Sequence, residues 1–239
     1  MKRYVDHWIS SLKQHHSYKP KRPNIVHRAT SQSSLTKPFR QRRIGLTGGI
    51  ASGKSSVGRW LANEGLPVLD ADQYARDVLQ PGGSATALVL ERYGSRVHGS
   101  EEDGIDRAAL GGIVFHNQEE RRWLEQLVHP AVQQRFADAL DALQDEPAVV
   151  LMIPLLFEAG LESLCSEIWL VDCDPEQQLD RLVVRDGLSR DAAQARIAAQ
   201  WPLSRKRALA DHVINNSGPS GAWEPEAKAL LEMGQASGL

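Results

Sequence analysis

The sequence predicts an α/β fold: a parallel sheet flanked by helices, built around a phosphate-binding loop (P-loop), with a helical lobe inserted between two of its strands. Three observations lead there. The run Gly48–Ser55, GGIASGKS, matches G-x-x-x-x-G-K-[ST] and directly follows the short apolar stretch Ile44–Thr47. Pro147–Ile153 (PAVVLMI) is a β-branched run without alternation, as in a central parallel strand buried on both faces. Between a short strand ending at Asp70 and that run lie roughly eighty residues with helical patterning and no convincing strand. Such a stretch is too long for a simple βαβ crossover and reads as an inserted lobe, the usual place for a substrate.

The elements follow in order. Arg43–Thr47 reads as the first strand, and Lys54–Glu64 as a helix carrying Val57, Trp60 and Leu61 at helical spacing. Leu66–Asp70 is a second short strand, with Asp72 as N-cap for a helix Gln73–Leu79 that Pro81-Gly82-Gly83 terminates. Ser84–Tyr93, Asp106–His116 and Glu119–Leu143 read as helices, the last interrupted at His129-Pro130. Glu167–Asp172 (EIWLVD) is a fourth strand. Asp174-Pro175 opens a helix through Arg185, with proline at its first position. Ser189-Arg190-Asp191 caps a helix Ala192–Gln200. Asp211–Asn215 is a fifth strand, followed by the turn Asn216-Ser217-Gly218 and a terminal helix from Trp223.

Composition narrows the function classes. The chain has 239 residues, 41% hydrophobic and 24% charged, ordinary for a globular protein with room for one α/β domain with insertions. No apolar run approaches the ~20 residues of a membrane-spanning helix, so no membrane partner is expected. Cys165 and Cys173 lack metal-ligand spacing, which argues against zinc or a disulfide framework and fits a reducing, cytoplasmic setting. The net charge of −2 hides an asymmetry: residues 1–43 hold 11 of the 28 basic residues and one of the 30 acidic, leaving 17 basic against 29 acidic elsewhere. The expected organisation is a disordered basic extension over 1–41 and a folded domain over 42–239. The extension also has the Arg/Ser-rich, acid-poor composition of an organelle transit peptide. An acidic main domain has no basic patch for nucleic acid, and none is expected as partner.

The loop explains its own residue types. A polyphosphate needs several backbone N–H groups aimed inward, and a Gly-rich turn lets the backbone approach that closely. The positive end of the following helix adds to the attraction. Lys54 is placed to reach the β- and γ-phosphates, and the Ser55 hydroxyl to hold Mg²⁺. A nucleoside triphosphate is the expected ligand. Phosphoryl transfer further needs positive charge on the transferring group and a group to take the acceptor's proton. Arg181, Arg185 and Arg190 form a candidate cluster, Arg185 the best of them; an arginine closing over a γ-phosphate contributes about 10³–10⁵ in rate. Their alternative is a solvated helix face paired with Asp180, Asp186 and Asp191. Asp72, at the carboxyl end of the second strand, is the candidate base, and it can cap its helix as well. Asp70, Glu158 and His129 are weaker candidates: a carboxylate near the metal through water, a loop carboxylate orienting substrate, and a histidine at a helix break.

Together these segments resemble the dephospho-coenzyme A kinase family. The matching pieces are Leu46–Ser55, Asp70-Ala71-Asp72 with Ala75-Arg76, Pro81-Gly82, His129-Pro130, Pro154-Leu155-Leu156-Phe157-Glu158, Arg185-Asp186, Arg196-Ile197 with Gln200, and Asp211–Asn215. The similarity spans about Arg42 to the C-terminus. The phosphate loop alone is shared by very many proteins; its combination with Asp-Ala-Asp and Pro-Leu-Leu-Phe-Glu at these intervals is far more specific. The resemblance implies a nucleoside-monophosphate-kinase-like α/β fold: a five-stranded parallel core, a helical CoA-binding insertion over about 72–145 and a lid over about 181–203. It implies transfer of the ATP γ-phosphate to the ribose 3′-hydroxyl of dephospho-CoA with Mg²⁺, yielding CoA and ADP. By position it implies Gly49, Ile50, Ala51, Ser52, Gly53, Lys54, Ser55 and Ser56 as the ATP-binding set, Ser55 toward the metal, Asn215 with Asn216 near the adenine, Asp72 as base and Arg185 acting from the lid side. Ser56 stands where many members have threonine, which keeps the hydroxyl. A monomer or weak homo-oligomer is expected.

Two other readings compete. Another P-loop small-molecule kinase would share the loop and lid arginines and differ around Asp72 and the helical lobe. A nucleotide switch or non-catalytic binding module is the reading from a different class. A GTPase would need D-x-x-G after a strand and N-K-x-D, and the sequence has neither.

Overall fold

The computed structural model describes residues 41–100 and 104–236. The expected disordered extension therefore lies outside the described residues, except for Gln41, whose side-chain amide donates to the carbonyls of Leu143 and Glu146.

Five strands, β1 (Arg42–Gly48), β2 (Val68–Asp70), β3 (Ala148–Met152), β4 (Glu167–Asp172) and β5 (His212–Asn215), form one sheet in the order β2-β3-β1-β4-β5. Every pairing is parallel. Period-two geometry sends alternate residues to opposite faces. Val149 and Leu151 join the apolar cluster beneath the helical lobe, whereas Val150 and Met152 join the cluster on the other face with Ile44, Leu46, Trp169 and Val171. Burial on both faces is why these strands read as continuous apolar runs. The register aligns Asp70 with Met152 and Gly48 with Val171. The segments leaving β1, β2, β3 and β4 thus emerge together at the carboxyl edge, where the chain's crossovers diverge and open α/β sheets bind ligands.

The helices are α1 (Lys54–Asn63), α2 (Ala71–Val78), α3 (Thr86–Tyr93), α4 (Arg107–His116), α5 (Gln118–Ala142), α6 (Pro175–Asp186), α7 (Arg190–Ala198), α8 (Leu203–Arg207) and α9 (Glu224–Ala236). The lobe inserted between β2 and β3 consists of α2 to α5, with a short antiparallel bridge at His98 and Ile105. The sequence reading needs three corrections here. Helix α2 is capped by Asp70, whose carboxylate accepts the Asp72 N–H at 2.8 Å, so Asp72 lies within the first turn instead of capping it. Helix α5 is not interrupted at Pro130 but runs through it. Leu124, Val128, Val132, Phe136 and Leu140 keep one buried stripe, while Pro130 and Gln126, whose carbonyl loses its helical donor, are exposed, where water can replace that bond. The short α8 was not anticipated; it follows Pro202, which takes the N-cap position.

Both cysteines are buried, and no disulfide joins them. Cys165 fills the space over Gly45, where a Cβ would approach its Sγ to 2.5 Å. Burial pushes the Cys173 thiol up to about 11, so it stays protonated at neutral pH. One charged pair is also sealed inside: Lys206 Nζ lies 2.9 Å from Glu158 Oε1, with side-chain exposures of 0% and 2%. Lys206 also reaches the Pro154 carbonyl at 3.4 Å, and Glu158 Oε1 accepts the Trp201 N–H at 3.0 Å. The chain after β3 is in this way tied to the segment around α8.

Removing one member of a buried ion pair strands the other. Lys206→Met should cost about 3–5 kcal/mol of stability in urea denaturation, and Lys206→Met with Glu158→Gln should recover part of it. Equal loss in the single and double variants would show that packing, not charge, holds the site.

Candidate active site

The loop between β1 and α1 is shaped by backbone conformation and by side chains that grip it from outside. Ala51 (φ 59°) and Gly53 (φ 98°) adopt left-handed conformations. At Gly53 a Cβ would come within 2.0 Å of Asn216 Nδ2, so the position also needs glycine for space. That same Asn216 amide donates to the Ser52 carbonyl at 2.8 Å. The Ile50 peptide is held on both sides: its N–H donates to Gln200 Oε1 at 2.8 Å, and its carbonyl accepts Gln178 Nε2 at 2.7 Å. Its side chain packs with Leu179, Leu182 and Ala193 at the base of α6 and α7.

A cleft of about 790 Å³ opens over the loop. Gly49, Ile50, Ala51, Gly53, Lys54, Ser55 and Ser56 line it, with Asp70, Asp72 and Arg76 from the β2–α2 side and Arg181 and Arg185 from α6. The candidate base, the loop lysine and the favoured arginine thus share one cavity. Ser52 is fully buried within the loop and does not line it. Arg185 makes a two-point pair with Asp186 (2.8 and 3.0 Å), and Arg196 shares that carboxylate at 3.0 Å, which fixes the guanidinium plane at the rim. Arg181 donates to the Asn216 carbonyl at 3.0 Å, while its buried Nη1 has no partner among the described residues. Arg190 does not line the cleft: it pairs with Glu176 and with Asp180 of α6, of which Asp180 does line it.

Asn215 is also outside the cleft lining. It is exposed, its N–H donates to Glu226, and its Oδ1 accepts the Ser217 N–H. Its neighbour Asn216 makes the contact with the loop. Glu158, expected as a loop carboxylate orienting substrate, is instead the buried partner of Lys206. A smaller apolar cavity of about 80 Å³ adjoins the cleft, sharing Asp72 and Pro154 and bounded by His129, Val132 and Gln133 of α5. Burial lowers the His129 pKa, which favours the neutral imidazole there. Sequence reasoning missed Gln178 and Lys206, and it quoted Gln200 only as part of a motif. Residues 178 and 200 are far from the loop in sequence, and only the fold brings them to it, as it brings Lys206 to Glu158.

A parallel α/β sheet with a phosphate loop, a carboxylate facing it and arginines from a following helix pair is the architecture of a P-loop kinase. A family model for dephospho-CoA kinase matches residues 42–221. The chain is 69% identical over 202 residues to the dephospho-CoA kinase of Synechococcus sp. (strain CC9605), covering 84% of this chain and 98% of that one. It is 57% identical over 194 residues to that of Prochlorococcus marinus (80% and 95% covered). Among solved structures it is similar to TT1252 from Thermus thermophilus (TM-score 0.70, 36% identity, 81% and 98% covered). It is also similar to dephospho-CoA kinase from Campylobacter jejuni (TM-score 0.64, 29% identity, 82% and 98% covered). The chain belongs to the dephospho-CoA kinase family. It is accordingly a nucleotide-binding kinase, a transferase of coenzyme A biosynthesis.

The roles of the two aspartates separate experimentally. Asp70→Ala removes the cap of α2 and should lower stability by about 1 kcal/mol. Asp72→Asn should move the urea midpoint much less, because its carboxylate does not cap the helix. A larger shift for Asp72→Asn would make Asp72 the structural residue of the pair.

Proposed function

We propose that the chain transfers the γ-phosphate of ATP to the ribose 3′-hydroxyl of dephospho-CoA, giving CoA and ADP, with the loop and Asp72 acting in one cleft. The observation that carries this reading is their enclosure in a single cavity beside the helical lobe, in a chain of this family. The inward amides of the loop and the start of α1 bind the phosphates. Lys54 neutralises charge on the β- and γ-phosphates. Arg181 and Arg185 stand ready on the facing helix. Asp72 accepts the proton of the attacking hydroxyl, and the acceptor nucleoside lies against the lobe, reaching toward the smaller cavity at His129 and Gln133. Gly49, Ala51, Gly53, Ser55 and Ser56 complete the phosphate-binding set, while Ile50 and Ser52, whose N–H groups are held by Gln200 and by the Gly49 carbonyl, shape the loop around it. Asn215 acts at most from the periphery, through its neighbour Asn216.

Among the described residues no group of three or more His, Cys, Asp or Glu side chains forms a metal cage. The donor set instead fits Mg²⁺ carried by the nucleotide, with the Ser55 hydroxyl as a protein ligand and phosphates and water as the rest. That ion would supply charge neutralisation on the phosphates. No helix among the described residues is long and apolar enough to cross a membrane. Two buried thiols that form no disulfide suit a reducing, cytoplasmic compartment. A monomer or weak homo-oligomer remains our expectation for the assembly.

ADP release with ATP and Mg²⁺ should require dephospho-CoA, with CoA identified by mass, and not occur with AMP, shikimate or gluconate. Release with one of those acceptors alone would reassign the lobe. Lys54→Ala should nearly abolish turnover. Asp72→Asn should lower kcat by about 10²–10⁴ with the KM for ATP little changed, and a change in ATP affinity alone would remove Asp72 from the chemistry.

A further inference from the structure

Gln200 closes helix α7 onto the loop, and its side chain has one function visible and one unassigned. A backbone N–H can only donate, so the Gln200 atom that faces Ile50 N–H at 2.8 Å must be the carbonyl oxygen Oε1. That fixes the amide's orientation, which otherwise is ambiguous for glutamine. The amide nitrogen Nε2 then lies at the other end of the group. No described residue accepts a hydrogen bond from it, although Gln200 is only 6% exposed and forms part of the cleft wall. Gln178, on the opposite side of the same peptide, differs: its Nε2 is used on the Ile50 carbonyl.

The place of Gln200 identifies what its NH₂ meets. The loop crest at Ile50 lies on one side. On the other, the next residue, Trp201, is bonded through its N–H to Glu158, in the turn that begins at Pro154. Pro154 lines both the nucleotide cleft and the adjoining apolar cavity. Gln200 therefore stands where the donor side passes into the acceptor side. The cleft that Gln200 lines holds Lys54, Arg181 and Arg185, donors suited to anionic oxygen, together with the carboxylates of Asp70, Asp72 and Asp180. A second donor from a neutral amide adds directionality without adding charge.

We infer that the Gln200 side-chain amide donates a hydrogen bond to an oxygen of the donor nucleotide's terminal phosphate, making Gln200 a residue that distinguishes the triphosphate from the diphosphate. The inference rests on the nucleotide-site reading given above. Gln200 has two duties in it: Oε1 supports the loop, and Nε2 binds the group to be transferred. Loss of that contact on transfer favours release of the diphosphate product.

The two duties separate in equilibrium titrations of the full chain with Mg²⁺, using ADP and the non-hydrolysable imido analogue of ATP. Gln200→Ala should weaken the analogue by about tenfold to a hundredfold more than it weakens ADP, the size of one hydrogen bond to a charged group. Gln200→Glu keeps an acceptor for Ile50 N–H but turns a carboxylate toward the phosphate. It should lower the analogue-to-ADP affinity ratio at least as far as alanine does, with a wild-type melting temperature. Should alanine prevent folding, the glutamate variant alone decides. Equal weakening of both ligands by alanine, reversed by glutamate, would reduce Gln200 to a loop support and overturn the inference. An unchanged affinity ratio in either variant would overturn it too. A wild-type chain that binds neither nucleotide would overturn the site reading itself, a distinct outcome.

Discussion

The site depends on keeping the peptide groups of Ile50–Gly53 turned in the right directions. Within the loop the Ser52 N–H closes onto the Gly49 carbonyl at 3.1 Å, and the Ile50 N–H and the carbonyls of Ile50 and Ser52 need partners from elsewhere. Three side-chain amides provide them: Gln178 and Gln200 on the two sides of the Ile50 peptide, and Asn216 on the Ser52 carbonyl. An amide side chain suits this use because it both donates and accepts and carries no charge to compete with a phosphate. All three come from the carboxyl-terminal half of the chain. The eight-residue motif thus acquires its working shape only when β4, β5 and the helices between them are in place.

A second connection runs from the same segment to the acceptor side. Trp201 and Lys206 converge on Glu158, and Lys206 and Thr47 both donate to the Pro154 carbonyl. Residues 200–206 therefore fasten the loop crest on one flank and the turn after β3 on the other. Reaction between two bound molecules needs their separation fixed to a fraction of an ångström, and rigid coupling of the two walls supplies that. Enclosing an ion pair here is costly in desolvation, and it is kept where geometry must be unique.

Much of this was legible from the sequence, and the exceptions share causes. The strands announced themselves because burial on both faces demands unbroken runs such as PAVVLMI and EIWLVD, the latter with its observed boundaries. The phosphate loop is local, so its motif carried its position. The cap passed from Asp72 to Asp70 because either is a competent cap; the choice was made by where β2 ends, a matter of pairing with β3. Pro130 passed as a helix break because its local penalty is visible in sequence and the buried stripe that outweighs it is tertiary. Arg190 and Arg185 look alike on paper, yet Arg185 ends α6 on the cleft while Arg190, opening α7, folds back onto Glu176 and Asp180 of α6. Gln178 and Lys206 left no local signal, since a lone glutamine or lysine on a helix ordinarily means solvent.

The two thiols give the molecule a built-in clock. Cys165 is wedged against Gly45 beside β4, and Cys173 follows that strand directly, protonated and enclosed. Alkylating reagents need an exposed thiolate. Neither sulfur is one while the sheet is closed, so the rate at which they are modified registers each opening of the central strands. A ligand that binds only the closed form should slow that clock by mass action, in proportion to its concentration over its dissociation constant. The core would thereby report ligand binding through thiols the chain already carries.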